Sequence, residues 1–549
     1  MIKPRAVCAL LAAAAAVMVH AQQQTDVDTI LTNGKIITVD NQFAIAQAVA
    51  IRGDRFVAVG TNQDIARLAG PGTRRIDLGG KAVIPGLIDA HAHLMRAAET
   101  WAIEVRLDGV DSRKRALDMV RAKAAALGPG QWVYNLGGWS YDQFAENRTP
   151  LTRAELDQAA PDNPVYLQFT RCCAFLNSRG VEAMELAGLA QPWVERDASG
   201  KPTGRINDPG LAQIANKLPR PPKETFRTNA LALVGDLNRA GVTTAGISGC
   251  PQEATEFFRD LEHKGELTFR FMCMVSVGGV GAGEDGLKRA VEQIGQIKLF
   301  QGDNYIDDVM YGETIAYSDN MLQPHTSYTQ EQLSNWRTLA TAVARAGLPL
   351  QQHATISETF PAFLDQIEQI NKEYPIRNLR WAFAHMDQVS ANDLERMKKL
   401  GMYAAVRAIP PVMGAIFNRA HGERSKDMPP LKMIQDSGIL WGFHTDTTEV
   451  NQYRPFTTLW FAVTGKMVGG AVVNRQTISR EQALVAHTRS NAFFVLREND
   501  LGSIQPGKLA DLVVMDRDYL TVPADQIKDI KPVTTIVGGK IVYDSPSGR

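Results

Sequence analysis

Two histidines one residue apart, His91 and His93, close the apolar run Val83-Ile84-Pro85-Gly86-Leu87-Ile88-Asp89-Ala90. Alternate side chains of a strand share a face, so both imidazoles point the same way. Two imidazoles one strand step apart can grip one divalent ion. Alone, a His-x-His pair is a weak signal in a chain with ten histidines. Three later apolar runs give it weight. Residues 348–353 end in His353, 379–385 end in His385, and 439–446 end in Asp446. Four histidines and one carboxylate converging on a single rim point to a catalytic metal. Such an ion lowers the pKa of water from about 15.7 toward about 7 and polarises a carbonyl. A carboxylate beside that water can take its proton and later hand it to a leaving amine.

These residues need a frame that brings distant strand ends together. Short apolar runs alternate with helical patterns through the middle of the chain, which predicts parallel βα units. The candidate strands are 83–91, 240–246, 269–276, 304–311, 348–354, 379–386, 402–408 and 439–446, with helical stretches such as 328–346 and 390–400 between them. Eight such units predict an α/β fold with a closed (β/α)8 TIM barrel, whose active site lies at the C-terminal ends of the strands. Both flanks are β-rich, around 29–39, 48–60, 507–515 and 533–543. Neither has enough strands for a stable sheet, so the two ends are expected to form one small composite β-sandwich. The expected organisation is a signal peptide over 1–21, the sandwich from 22–82 plus 496–549, and the barrel over 83–495. An insertion at about 100–230 is expected to cover the barrel mouth. Its Trp139 and Tyr141 are candidates to line a substrate pocket, or to pack within the insertion itself.

The 549 residues carry 59 basic and 59 acidic side chains, which argues against nucleic acid or an acidic membrane surface as partner. Hydrophobic residues at 44% allow a sizeable core. No 18-residue apolar run lies in the body of the chain, so no membrane span is expected once the leader is cleaved. At the N-terminus, Lys3 and Arg5 precede an alanine-rich apolar run over 7–19, then Val19-His20-Ala21 before Gln22. This reads as a cleaved secretory signal and predicts a periplasmic or secreted protein. Cys8 is lost with it. Cys172 and Cys173 are adjacent, so a bridge between them is strained. Cys250 and Cys273 can form a bridge in an oxidising compartment, but buried free thiols are the expected state.

The whole pattern resembles the metal-dependent amidohydrolase superfamily, in its branch of exoenzyme-regulatory and formamide-deformylase-like proteins. The resemblance rests on residues 83–93, His353, His385, Asp446 and the tail Gly502-Ser503-Ile504-Gln505-Pro506-Gly507-Lys508-Leu509-Ala510-Asp511. It implies that His91, His93 and His353 are metal ligands. His385 is implied as a ligand to a second metal or a polariser of water or substrate, and Asp446 as general base and ligand. Relatives with two metals usually bridge them with a carboxylated lysine on the fourth strand. Matching Gly312 to the glycine of that motif puts Asp307 at the lysine position. A mononuclear site is therefore favoured over a binuclear one, with zinc the first expectation and iron or manganese open. Asp307, and after it Glu313, are the alternative carboxylate bridges. Cys172 stands where relatives often carry a histidine, which predicts a different substrate.

His325 and His421 lie in loops that could reach the rim, while His263 and His487 read as structural or solvated. His444 shares a strand face with Asp446 and reads as a deeper barrel residue or a partner behind the ligands. Arg407, ending the seventh strand, could pair with an anionic substrate group or neutralise nearby carboxylates. The expected activity is metal-dependent hydrolysis of a non-peptide, amide-type C–N bond in a small molecule. Deamination, lactone or ester hydrolysis, a lyase or isomerase step, and metal-dependent binding without catalysis are the alternatives. A small-molecule substrate is the expected partner, and homo-oligomer formation is left open.

Overall fold

A computed structural model describes residues 27–278 and 283–545. The expected signal peptide, 1–21, lies outside the described residues. Eight parallel strands frame the α/β centre: β1 (Leu87–Ala92), β2 (Val242–Ser248), β3 (Arg270–Val275), β4 (Ile306–Tyr311), β5 (Gln351–Ala354), β6 (Ala382–His385), β7 (Tyr403–Arg407) and β8 (Trp441–His444). They form two four-stranded sheets, β4-β3-β2-β1 and β5-β6-β7-β8. Nearly every residue on them is buried, as expected for parallel strands covered on both faces. The sheets touch along two seams. At one, Tyr311 pairs with Leu350 in parallel and its N–H donates to the Pro349 carbonyl at 2.9 Å. At the other, the Asp446 N–H donates to the His91 carbonyl at 3.1 Å, and the His93 N–H to the Thr447 carbonyl at 2.6 Å.

The helices between strands follow from local chemistry. Gln330–Arg345 opens with a capping box, Thr329 with Gln332, and buries Trp336, Leu339, Ala340 and Val343 at helical spacing. Ala391–Leu400 opens with Ser390 and Asp393 in the same arrangement. It stops at Gly401, whose φ of 76° suits a residue without a Cβ.

The apolar run expected as one strand over 83–91 is two strands in different sheets. Ala82–Pro85 pairs with Lys35–Ile37 and with Leu512–Met515 in a six-stranded sheet drawn from both ends of the chain. Gly86 breaks the run, and β1 follows. A Cβ on Gly86 would lie 2.3 Å from the Thr243 hydroxyl oxygen, so β2 packs against bare backbone there. A second, four-stranded sheet comes from Thr29–Thr32, Ala48–Arg52, Arg55–Gly60 and Arg74–Asp77. The two sheets share one apolar cluster, with Leu31, Val49 and Phe56 meeting Val83, Leu512 and Ile536.

The long segment between β1 and β2 builds its own five-stranded sheet, in the order Val194–Arg196, Pro202–Asn207, Cys173–Leu176, Val165–Phe169, Val133–Leu136. Its core includes Val120, Leu156, Phe169 and Phe175, and reaches Val412 and Met413 on the helix after β7.

Cys250 and Cys273 form a disulfide, where free thiols were expected. Cys273 lies on β3 opposite Ile247 of β2, and Cys250 follows just past the end of β2. Strand pairing alone therefore brings the two thiols together. Closing a loop of 23 residues contributes about 3 kcal/mol in the chain-entropy view.

Candidate metal centre

The C-terminal ends of β1, β5, β6 and β8 deliver His91, His93, His353, His385 and Asp446 to one place, around a carboxylate that follows β4. That carboxylate is Glu313. Its Oε2 lies 3.4 Å from His91 Nε2 and 3.5 Å from His93 Nε2, and those two nitrogens are 3.4 Å apart. A tetrahedral ion with bonds of about 2.0–2.1 Å has ligand-to-ligand edges of about 3.3–3.4 Å. The triangle has the size of one face of such a polyhedron. Glu313 Oε1 faces the other way, 3.0 Å from His353 Nδ1 and 3.0 Å from His385 Nε2. The donor set is thus two groups of three, His91, His93, Glu313 and Glu313, His353, His385, sharing one carboxylate. Asp446 Oδ1 sits 3.0 Å from His93 Nε2 on the first group's side. Imidazole nitrogens and carboxylate oxygens suit a divalent ion such as zinc.

Each ring is aimed by a partner on its other nitrogen. His91 Nδ1 lies 2.6 Å from Gln351 Oε1, which leaves Nε2 for the cluster. His353 is turned the opposite way. Its Nε2 lies 3.0 Å from Asp319 Oδ1, which leaves Nδ1 for Glu313. Asp319 is itself fixed by the N–H groups of Thr355 and Ile356, at 2.9 and 2.8 Å, and by the Thr359 hydroxyl at 2.6 Å. Such partners raise ligand basicity and lock the ring orientation. Asp89 accepts from the backbone N–H groups of His91 and Thr445, joining the roots of β1 and β8. Ser248, at the end of β2, donates its hydroxyl to Glu313 Oε2 at 3.1 Å. Asp89, Asp319 and Ser248 were missed as functional residues. Gln351 was missed too, although it shares a strand face with His353 by the two-residue period.

Charge in the cluster is arranged to attract cations. Burial disfavours the Glu313 carboxylate, but the His91 charge and hydrogen bonds from His353 and His385 hold it well below the usual range. Burial likewise opposes ionisation of Asp446, and the His93 hydrogen bond with neighbouring positive groups outweighs it. Burial also opposes charge on His91, yet Glu313 and Asp446 raise its pKa to about 9. His353 rises to about 10 against the same burial, through hydrogen bonds to Asp319 and Glu313. Protons there occupy the place a divalent cation would take, so metal binding would release them. Burial, helped by the charges of His353 and Arg407, lowers His385 to about 3.

The backbone is held in sparsely populated conformations at this place. His385, Met386 and Asp446 take φ of 79°, 62° and 60°. Such residues cost of order 1–3 kcal/mol each and persist where their surroundings over-determine them. His93 is the most open of the rings, its side chain 39% exposed against 0% for His91 and His385. Behind the cluster, His444 Nε2 accepts the His385 N–H at 3.2 Å, and its ring centroid is 5.0 Å from that of His91.

Several sequence candidates lie elsewhere. Asp307 does not reach the histidines. It sits near the start of β4, accepting from Gly302 N–H at 2.7 Å and pairing with Arg497 at 2.6 Å. Glu313, beyond the end of that strand, is the carboxylate that lies among the histidines. Trp139 and Tyr141 are buried within the insertion among Phe144, Phe169 and Phe175, so the internal-packing alternative describes them. His325 is exposed, 2.7 Å from Glu358. His421 Nε2 lies 2.8 Å from the Met321 carbonyl. Arg407 is buried, with Nη1 donating to Asp446 Oδ2 at 2.9 Å and Nη2 bonded to Asp387. It neutralises carboxylates and presents no free fork to a substrate anion. Cys172 is half-buried beside Cys173, and a hydrogen bond with Cys173 and the Arg205 and Arg419 guanidiniums lower its pKa.

The insertion is tied to the loop that follows Asp446. Glu449 accepts from Gln168 Nε2 at 2.9 Å and from Arg96 at 2.6 Å, and the Gly138 N–H donates to its carbonyl at 2.8 Å. The loop carrying Asp446 is therefore braced from the insertion side.

The N-substituted formamide deformylase of Arthrobacter pascens is 26% identical over 550 residues, covering 94% of this chain and 98% of that protein. The protein LONG AFTER FAR-RED 3 of Arabidopsis thaliana is 26% identical over 552 residues, covering 94% and 91%. Among solved structures, an uncharacterized metal-dependent hydrolase from Pyrococcus horikoshii OT3 superposes with a TM-score of 0.62 at 22% identity, covering 90% of this chain and 99% of that one. Residues 74–543 match the amidohydrolase family along most of the chain, and the chain belongs to that family.

Proposed function

We propose that this amidohydrolase cleaves a non-peptide, amide-type C–N bond of a small molecule, using two divalent ions held on either side of Glu313. The observation that carries this reading is the pair of donor groups sharing one carboxylate. The mononuclear expectation rested on the missing lysine, and Glu313 would offer a carboxylate of the same charge from the same strand end. In this reading His91 and His93 would hold one ion and His353 and His385 the other, and zinc would suit both donor sets. Bound there, divalent ions supply a Lewis acid and bring water toward ionisation near neutral pH.

Asp446 is the proton carrier. Arg407 occupies its Oδ2, so Oδ1, on the His93 side, takes the proton of the attacking water and returns it to the leaving nitrogen. Gln351 and Asp319 keep the rings aimed. The relative named as an N-substituted formamide deformylase supports an N-acyl substrate of small size.

The architecture belongs to the same reading. The seam hydrogen bonds support one closed (β/α)8 barrel from β1 to β8, and the shared cluster of the terminal sheets supports a composite β-sandwich drawn from both ends of the described chain, Ala82–Pro85 included. The disulfide fits an oxidising compartment, which supports the expected leader and a periplasmic or secreted location.

Elemental analysis of the purified protein tests the site, with about two divalent ions per chain expected. Less than a tenth of one would sink the metal reading, and a firm one would restore the mononuclear expectation. Release of amine from N-substituted formamides tests the reaction. Asp446→Asn should abolish that release in folded protein, and full activity would remove Asp446 from the mechanism.

A further inference from the structure

Away from the histidine cluster, a half-open cavity of about 220 Å³ lies between the helix Phe226–Arg239, the start of the helix Pro455–Thr464 and the C-terminal strands. Its lining is strongly one-signed. Arg239, Arg454, Lys528 and Lys531 contribute four cations, and Asp236 is the one acid among the lining residues. That acid is already engaged. Asp236 Oδ1 pairs with Arg239, and Oδ2 accepts from Trp101 Nε1 at 2.8 Å. Lys528 pairs with Asp529 at 3.0 Å. Among the described residues, no carboxylate lies within 4.0 Å of the Arg454 guanidinium or the Lys531 ammonium. In a chain of balanced charge, such a concave surplus of cations focuses a positive field.

The arginine is also seated. A Cβ on Gly109 would fall 2.4 Å from Arg454 Nη1, and Gly109 has φ of 69°, so the backbone there gives way to the guanidinium. Arg454 also stands just before the helix Pro455–Thr464, with no side chain capping that end. One flank of the cavity is apolar, from Pro455, Phe456, Ile530 and Pro532, and Tyr543 carries the Arg239 guanidinium 5.9 Å above its ring.

We propose that this cavity binds a phosphoryl dianion, with Arg454 and Lys531 as its principal ligands and the apolar flank receiving the organic part of a phosphate monoester. Two cations without acidic partners match a dianion, and Arg454 offers the forked geometry that phosphate oxygens accept. This inference stands apart from the metal-centre reading, and no residue of the histidine cluster takes part in it.

The test is calorimetric titration of the full-length, metal-loaded protein with inorganic phosphate and with phenyl phosphate, at constant ionic strength. Phenyl phosphate is expected to bind at least threefold more tightly than phosphate, which assigns the source as an organic monoester. Equal affinities would assign it as free phosphate and overturn the role given to the apolar flank. Phosphate can also meet a metal centre, so three variants separate the sites. Lys531→Met, an exposed change, should weaken binding about tenfold while Asp446→Asn leaves it unchanged. Arg454→Gln should weaken it at least as much with the metal content intact. Full binding in Lys531→Met and Arg454→Gln, or its loss in Asp446→Asn, would overturn the proposal.

Discussion

Replacing Arg407 by Met keeps most of the stem and removes the guanidinium that lies between two carboxylates. The side chains of Arg407, Asp387 and Asp446 are 3%, 1% and 7% exposed. Deleting one partner of a buried ion pair costs about 3–5 kcal/mol, because the remaining charge is stranded. Here two charges are stranded, but they do not respond alike. Burial already raises the Asp387 pKa to about 6 despite Arg407. Without the guanidinium it rises further and Asp387 takes up a proton on folding near neutral pH. The expected cost at pH 7.5 is therefore at least that of one stranded carboxylate, about 3–5 kcal/mol, with the proton drawn onto Asp387 adding to it. The folded variant binds a proton that the unfolded chain does not, so its stability falls as pH rises. Urea unfolding at pH 5.5 and 7.5 should show a smaller deficit at the lower pH. Asp387→Asn added to Arg407→Met should recover more than about 1 kcal/mol at pH 7.5. A single-variant cost below about 1 kcal/mol, or no recovery in the double variant, would refute the view that Arg407 holds these carboxylates in place.

Asp319→Ala removes the partner of His353 Nε2 and should weaken metal binding about 10–100-fold in a chelator competition, with unchanged affinity counting against its aiming role. Glu155 accepts from Arg113 at 2.8 and 2.7 Å and from the Thr152 N–H, and against opposing burial these bonds lower its pKa to about 2. The depressed carboxylate stabilises the fold above its ordinary value of 4.5, and this is lost as pH falls through about 2. Glu155→Gln should thus cost about 1–2 kcal/mol at pH 7 after solvent screening and progressively less on acidification; a pH-independent cost would contradict the assignment. Cys172 should react with iodoacetamide at lower pH than an ordinary thiol of pKa about 8.5, and ahead of buried Cys173, as read by peptide mass spectrometry; equal labelling of both would contradict it.

The strand-end histidines were legible because parallel strands announce themselves as short apolar runs and the ligands sit at their termini. His91, His93, His353, His385 and Asp446 span more than three hundred residues, yet each could be placed by local pattern alone. The fourth strand failed for a physical reason. Its ligand is not on the strand. The ladder ends at Tyr311, and Glu313 reaches the histidines only because the chain turns inward after it. Matching Gly312 to the glycine of the relatives' motif therefore put Asp307, which pairs with Arg497, ahead of Glu313. Trp139 and Tyr141 illustrate a second limit, since an aromatic on an insertion can face a ligand or its own core. The local sequence is the same in both cases, and the insertion's own sheet decides the matter. The Cys250–Cys273 bridge depended on which strands are neighbours, a long-range fact that spacing does not carry.

The break at Gly86 sets an order of events for a chain emerging from the ribosome. The strand just before it is flanked by Leu512–Met515, with Ile84 opposite Val513. Roughly 430 residues of chain separate the two, a pairing of very high contact order. The insertion's strands all lie within 133–207 and can assemble while synthesis continues. The segment that delivers His91 cannot be anchored on that side until residues 512–515 are made. Assembly of a metal site around His91 would then wait for those residues. A chain clipped before residue 512 would keep every ligand and lack the seat that holds the first of them.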